Sequence, residues 1–216
     1  MKAFSIAACA ALVLSASAAQ AATTPVTLAS LMQDWAHANY EMADPAAKSA
    51  EMKRLAALAD TAATEHAGQA EFLVWDAIIT GSEAGLKGGL GALGLAKRAR
   101  DLALKAEAIN PKVLDGSVYT TLGSLYDQVP GFPIGFGDKK KAGAFLSRAL
   151  ALNPKGIDSN YFYGLHLEGV GDYAGAERAL DTALRAAPRP GRESADKGRR
   201  QEISAALTRV RAKVKA

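Results

Sequence analysis

Cysteine is almost absent from this chain, since Cys9 is the only one among 216 residues. It falls in a stretch that reads as an export signal: Lys2 gives a positive start, Ala3 to Ala16 an apolar run, and Ala19-Gln20-Ala21 an A-x-A cleavage pattern. Cleavage there sets the mature start at Ala22, places the protein in the periplasm, and leaves no thiol. Disulfides, thiol chemistry and cysteine-ligated zinc are thereby excluded from the mature protein. The apolar run is too short and too rich in Ala and Ser to span a bilayer. Ile6-Ala7-Ala8-Cys9 matches a lipoprotein box only faintly, because Leu12, Val13 and Leu14 still follow it, so neither membrane nor lipid anchoring is expected.

Histidine is scarce as well. His37, His66 and His166 are the only three, and none is read with a second ligand at metal-binding spacing, so no metal site is expected. Ser82, Ser117 and Ser124 sit near glycines without the glycine two before and two after that a hydrolase elbow needs. Gly89-Leu90-Gly91-Ala92-Leu93-Gly94 has the letters of a dinucleotide site but no strand before it, and Gly85-Leu86-Lys87-Gly88 lacks the Gly-Lys-Ser/Thr of a phosphate loop. These failures point away from an enzyme and from any cofactor. The glycines from Gly81 to Gly94 read instead as a connector that lets two helices pass closely or bends over a groove.

Aromatic residues make up only 6% of the chain while hydrophobic residues reach 49%, much of that alanine. Alanine favours helix and close helix contacts over strands. Apolar positions at helical spacing predict helices over 27–43, 46–66, 69–79, 95–108, 115–128, 139–152, 158–169, 172–186 and 194–213, and no strand. Three segments, Ala99 to Pro111, Ala142 to Pro154 and Ala176 to Pro188, align without gaps, each with Ala, a second Ala seven residues on and Pro five beyond that. Pro154 to Pro188 is 34 residues, and this unit carries Gly164, Gly171, Ala176, Leu180, Ala183 and Pro188. The pattern resembles a tetratricopeptide repeat. Expected is an all-α right-handed superhelix: divergent helices and the glycine connector over 22–94, repeats over 95–190, and a capping helix over 191–216 with Ile203, Leu207, Val210 and Val214 inward and its basic residues outward. From Arg185 to Ala216 there are ten Lys/Arg against three Asp/Glu, so this tail holds all of the positive excess. It reads as a solvated capping face or as a surface for an acidic partner or anionic lipid. With no aromatics interleaved, nucleic acid is not expected.

The nine further residues between Pro111 and Pro154 place an insertion at 129–137, Val-Pro-Gly-Phe-Pro-Ile-Gly-Phe-Gly. This loop is stiff at its prolines and apolar where an ordinary turn is polar. Phe132 and Phe136 either pack it down as a lid or line a groove with Tyr119, Tyr126, Tyr161 and Tyr163. Helical wheels put Asp158, Tyr161, Leu165 and Glu168 on the inner face of the last repeat, the face that such superhelices offer to partners.

The run Leu114 to Gly123, the loop from Val129 to Asp138, and Asn153-Pro154 with Ile157 to Gly164 together are similar to the periplasmic T-component family of tripartite (TRAP) transporters. That resemblance implies a helical repeat protein able to form homo-oligomers, engaging a periplasmic solute-binding protein and holding a small hydrophobic or organic-acid ligand. The expected function is that of an exported binding adaptor for a protein partner, with a small-ligand carrier as the alternative.

Overall fold

Thr27 opens the first helix by accepting a hydrogen bond from the Ser30 amide while the Ser30 hydroxyl closes back on Thr27, a reciprocal cap that fixes where α1 (Leu28–Tyr40) begins. At three others an aspartate accepts a single such bond from the third residue of the helix. Asp44, ahead of Pro45 in the first turn, starts α2 (Pro45–Glu65), Asp138 starts α6 (Lys139–Leu152), and Asp172 starts α8 (Tyr173–Leu184). The computed structural model describes residues 26–215, so the expected export signal at 1–21 and Cys9 lie outside the described residues. The remaining helices are α3 (Ala70–Lys87), α4 (Gly89–Ile109), α5 (Val113–Gln128), α7 (Ile157–Gly169) and α9 (Glu193–Val214). Among the described residues there is no strand, only one isolated bridge between Gly131 and Gly137.

The expected glycine connector is not one. Helices α3 and α4 run through Gly81, Gly85, Gly91 and Gly94, and only Gly88 and Gly89, at φ +62° and +58°, break the chain. Glycine weakens a helix without forbidding it, and here the packing of Ile79, Ala84, Ala96 and Ala99 in the core outweighs propensity. Gly94→Ala, with nothing near its added methyl, is expected to raise stability by about 0.5–1 kcal/mol, and Gly88→Ala to lower it by a similar amount. Chemical denaturation of both variants checks this, because a flexible loop would leave both neutral. A second departure concerns α5, where Leu114, Asp115 and Gly116 all take positive φ and regular helix starts at Ser117. Gly116 is required there, since a methyl would stand 2.9 Å from Leu152.

Three close crossings build the hairpins. Gly81 faces Ala99, Gly123 faces Ala142 and Leu146, and Gly164 faces Ala176 and Leu180, so the small residues on odd-numbered helices receive the even-numbered helix that follows. The odd-numbered helices also touch one another in sequence, α1 with α3, α3 with α5, α5 with α7 and α7 with α9, and α9 then meets α1. The inner layer is therefore a closed ring of five helices, with the even-numbered helices outside it. Tyr40 lies against Gly198 at this closure, and Ser194 donates to Glu41 across it. Helix α9 bridges two apolar clusters: Ala195 packs with Leu31, Trp35 and Trp75, while Ile203, Leu207 and Val210 pack with Ile157, Leu180 and Ala183. Val214, expected on that stripe, is exposed.

Candidate functional site

Loop 129–137 is held down at its base and presents its tip. Gly137 donates to the Pro130 carbonyl, Asp138 to that of Tyr126, and Ile134 and Gly135 to that of Gly131. Gly137 could carry no side chain, because a methyl would collide with the Val129 carbonyl. Phe136 folds inward, edge-on to Tyr126 at 5.2 Å and under the Arg100 guanidinium at 4.7 Å. Tyr126 stacks on Phe145 at 5.6 Å, and Phe145 lies 6.2 Å from Tyr119, whose ring and hydroxyl are both engaged by Arg148. The two phenylalanines of the loop thus have opposite roles. Phe136 anchors it, whereas Phe132 is 95% exposed, with Ile134 (59%) nearby on the same loop. The loop lies against the start of α4, since a methyl on Gly135 would meet Leu93 at 3.4 Å, and Leu90, one turn earlier, is 81% exposed.

The other residues singled out from the sequence lie elsewhere. Tyr161 is buried beneath Arg199, which also covers Phe162, so it does not join Tyr119 and Tyr126. Tyr163 stands 6.4 Å from His166, which is buried against Asp127 at 2.8 Å, with Lys139 also on Asp127. Glu168 is paired with Arg209. Asp158 accepts from both Arg189 and Arg199 inside the ring.

The basic tail does not simply face outward. Arg199, on α9, is buried, and Arg189 and Arg192, in the segment just before it, are half-buried, because ring closure turns them inward; Arg200 is half-buried against the end of α8. Arg189 also binds Asp196, Arg199 also binds Glu202, and Arg200 donates to the carbonyls of Leu184 and Ala186. Burial alone would raise the pKa of Asp158, but the nearby charges of Arg199 and Arg189 overturn this and hold it at about 2. Asp76, on α3, shows the opposite balance. Its burial outweighs Arg98, which is shared with Asp60 and partly in water, and its pKa rises to about 6. A cue to the inward arginines is present in the sequence: Arg199 is one turn before Ile203 on the same stripe, next to a mid-helix glycine, Gly198. His37, against expectation, does meet a carboxylate, Glu41 at 2.8 Å, yet no group of three His, Cys, Asp or Glu among the described residues is placed to hold a metal ion.

The all-α helical-repeat fold occurs among solved structures. A thermophilic TPR protein in Thermus thermophilus is 24% identical over 74% of this chain and 73% of its own, with a TM-score of 0.56. The chain has the tetratricopeptide-repeat (TPR) fold. MamA (18% identity, 77% of this chain and 90% of that one, TM-score 0.45) and PilF of Pseudomonas aeruginosa (12%, 85% and 93%, 0.35) are looser likenesses. No family model and no curated protein matches the sequence. The resemblance to transporter T-components finds no support in these comparisons. Relative to an open TPR superhelix, α9 here closes the ring of odd-numbered helices, and Arg189, Arg192 and Arg199 reach into it. Among the described residues no helix is long and apolar enough to cross a membrane.

Proposed function

We propose that this protein is an exported adaptor that binds a protein partner through the rim formed by loop 129–137 and the start of α4. The observation that carries the reading is Phe132: a large apolar side chain held almost wholly in water by a loop with two backbone hydrogen bonds at its base and two more across its tip. Leaving that surface wet forfeits about 2 kcal/mol of burial that a contact would recover, and aromatic residues on a fixed backbone are the usual anchors of protein interfaces. The inner face, which open TPR proteins would present, is filled by Arg189, Arg192 and Arg199, so the rim takes its place. A solute-binding protein of an uptake system is the partner class that the sequence resemblance suggests.

The double variant Phe132→Ser, Ile134→Ser is expected to keep its stability within about 0.5 kcal/mol, because neither side chain is buried. It is expected to lose the partner that a photo-crosslinker placed at Leu90 captures in the wild-type chain. Equal capture by the wild type and the double variant would refute a role for this rim.

A further inference from the structure

Among the arginines turned into the ring, Arg192 is the exception. Arg189, Arg199 and Arg200 each donate to carboxylates or carbonyls, whereas the Arg192 side chain donates to nothing among the described residues, and its Nε is buried without an acceptor. Its guanidinium lies 5.1 Å above the ring of Trp75, and the indole Nε1 of that nearly inaccessible tryptophan also lacks an acceptor. Burial and the repulsion of Arg189 both lower the pKa of Arg192. Only Nε is cut off from water; the terminal nitrogens are not buried, Asp158 and Asp196 act on them only from a distance, and the guanidinium is open to an incoming anion.

Arg192 lines a groove of about 230 Å³ between α1 and the first turn of α9. Met32 and Ala36 form an apolar wall. Glu41 is committed to His37 and Ser194, but Glu193 uses only Oε1, for the Gly191 amide, and its other oxygen has no partner. The groove therefore offers one unpaired cation, one free carboxylate oxygen and an apolar side. Two carboxylates at its edge oppose a dianion and leave a simple anion little net attraction. A molecule with both a carboxylate and an ammonium satisfies both ends at once. The volume, below the roughly 300–1,000 Å³ of drug-sized sites, suits a single small molecule.

We propose that this groove binds a free α-amino acid with an apolar side chain, its carboxylate on Arg192, its ammonium toward Glu193 and its side chain against Met32 and Ala36. The site is separate from the loop rim, so either reading can fail without the other. The test is calorimetric titration of the purified protein with leucine and methionine, with 4-methylpentanoate (no ammonium) and 3-methylbutylamine (no carboxylate) as single-charge probes, and the Trp75 indole N–H resonance as a second readout. Saturable binding of leucine or methionine is expected, with both single-charge probes at least about tenfold weaker. Arg192→Gln, which breaks no hydrogen bond and loses only the contact with Trp75, should weaken amino-acid binding by at least about tenfold with the melting temperature lowered by no more than about 8 °C. Glu193→Gln, an exposed change that carries the test if Arg192→Gln misfolds, should reduce leucine to the level of 4-methylpentanoate. No saturable signal up to about 10 mM, full affinity in Arg192→Gln, or equal affinity for 4-methylpentanoate overturns the proposal.

Discussion

Asp158→Asn is expected to destabilise the protein by about 2–4 kcal/mol at pH 7. The substitution keeps the volume but leaves Arg189 and Arg199 without the carboxylate they share, and removing one member of a buried ionic cluster costs more than the cluster contributes net. The lower half of that range is favoured because 29% of the Asp158 side chain still meets solvent. Its position in the first turn of α7 adds a favourable helix dipole that asparagine forgoes.

The same aspartate shapes the dependence of stability on pH, together with Asp76. Asp158, with a folded pKa of about 2 against 3.8 for the ordinary side chain, contributes stability that is fully present above about pH 4 and lost as pH falls toward 2. Asp76 acts with the opposite sign. Its pKa of about 6 means that the folded state takes up a proton first, so stability rises as pH falls from about 6 to about 4. The two contributions together predict a maximum near pH 4–5, readable as urea midpoints across the pH range, and in Asp158→Asn the fall below pH 4 should be shallower.

The second large effect is steric. Gly123→Val is expected to cost about 3 kcal/mol, because even the first added carbon would stand 2.5 Å from Leu146 Cγ and 3.3 Å from the Ala142 carbonyl, where α5 and α6 cross. The comparison that isolates the cause is Gly81→Ala at the equivalent crossing of α3 and α4. There the nearest atoms are 3.7 and 3.9 Å away, so the gain in helix propensity, up to about 1 kcal/mol, should prevail. Thermal or urea unfolding of both variants checks the pair, and a similar loss in each would mean that the crossings are equally tight.

Much of this fold is legible in the sequence. Pro111, Pro154 and Pro188 with their paired alanines mark the ends of α4, α6 and α8, since proline stops a helix whatever surrounds it and alanine at a crossing is set by local sterics. Gly81 is not legible in the same way. Surrounded by glycines at 85, 88, 89, 91 and 94, it reads as part of a connector, and only packing against Ala99 and Leu125 makes it a crossing residue. At the loop, sequence places Phe132 and Phe136 together, yet which one anchors and which is displayed depends on Tyr126 and Arg100, outside the loop. The interior escapes the sequence for a related reason. The charges leading into α9 read as solvated because nothing local to Arg189 or Arg192 announces that α1 lies opposite; only Arg199, one turn before Ile203 and beside Gly198, carries a cue.

The contact between α9 and α1 changes how such a protein can come apart. In a linear stack of hairpins each unit rests only on its neighbours, so the array can fray from either end, one hairpin at a time. Here the last helix gives the first one a neighbour, and the stack has no loose end from which to unzip. Fraying must begin by breaking the seam at Tyr40, Glu41, Ser194 and Gly198, after which the arginine cluster loses the wall that encloses it. Loss of the terminal helix is thereby coupled to loss of the whole, and a row of repeats behaves as one indivisible body.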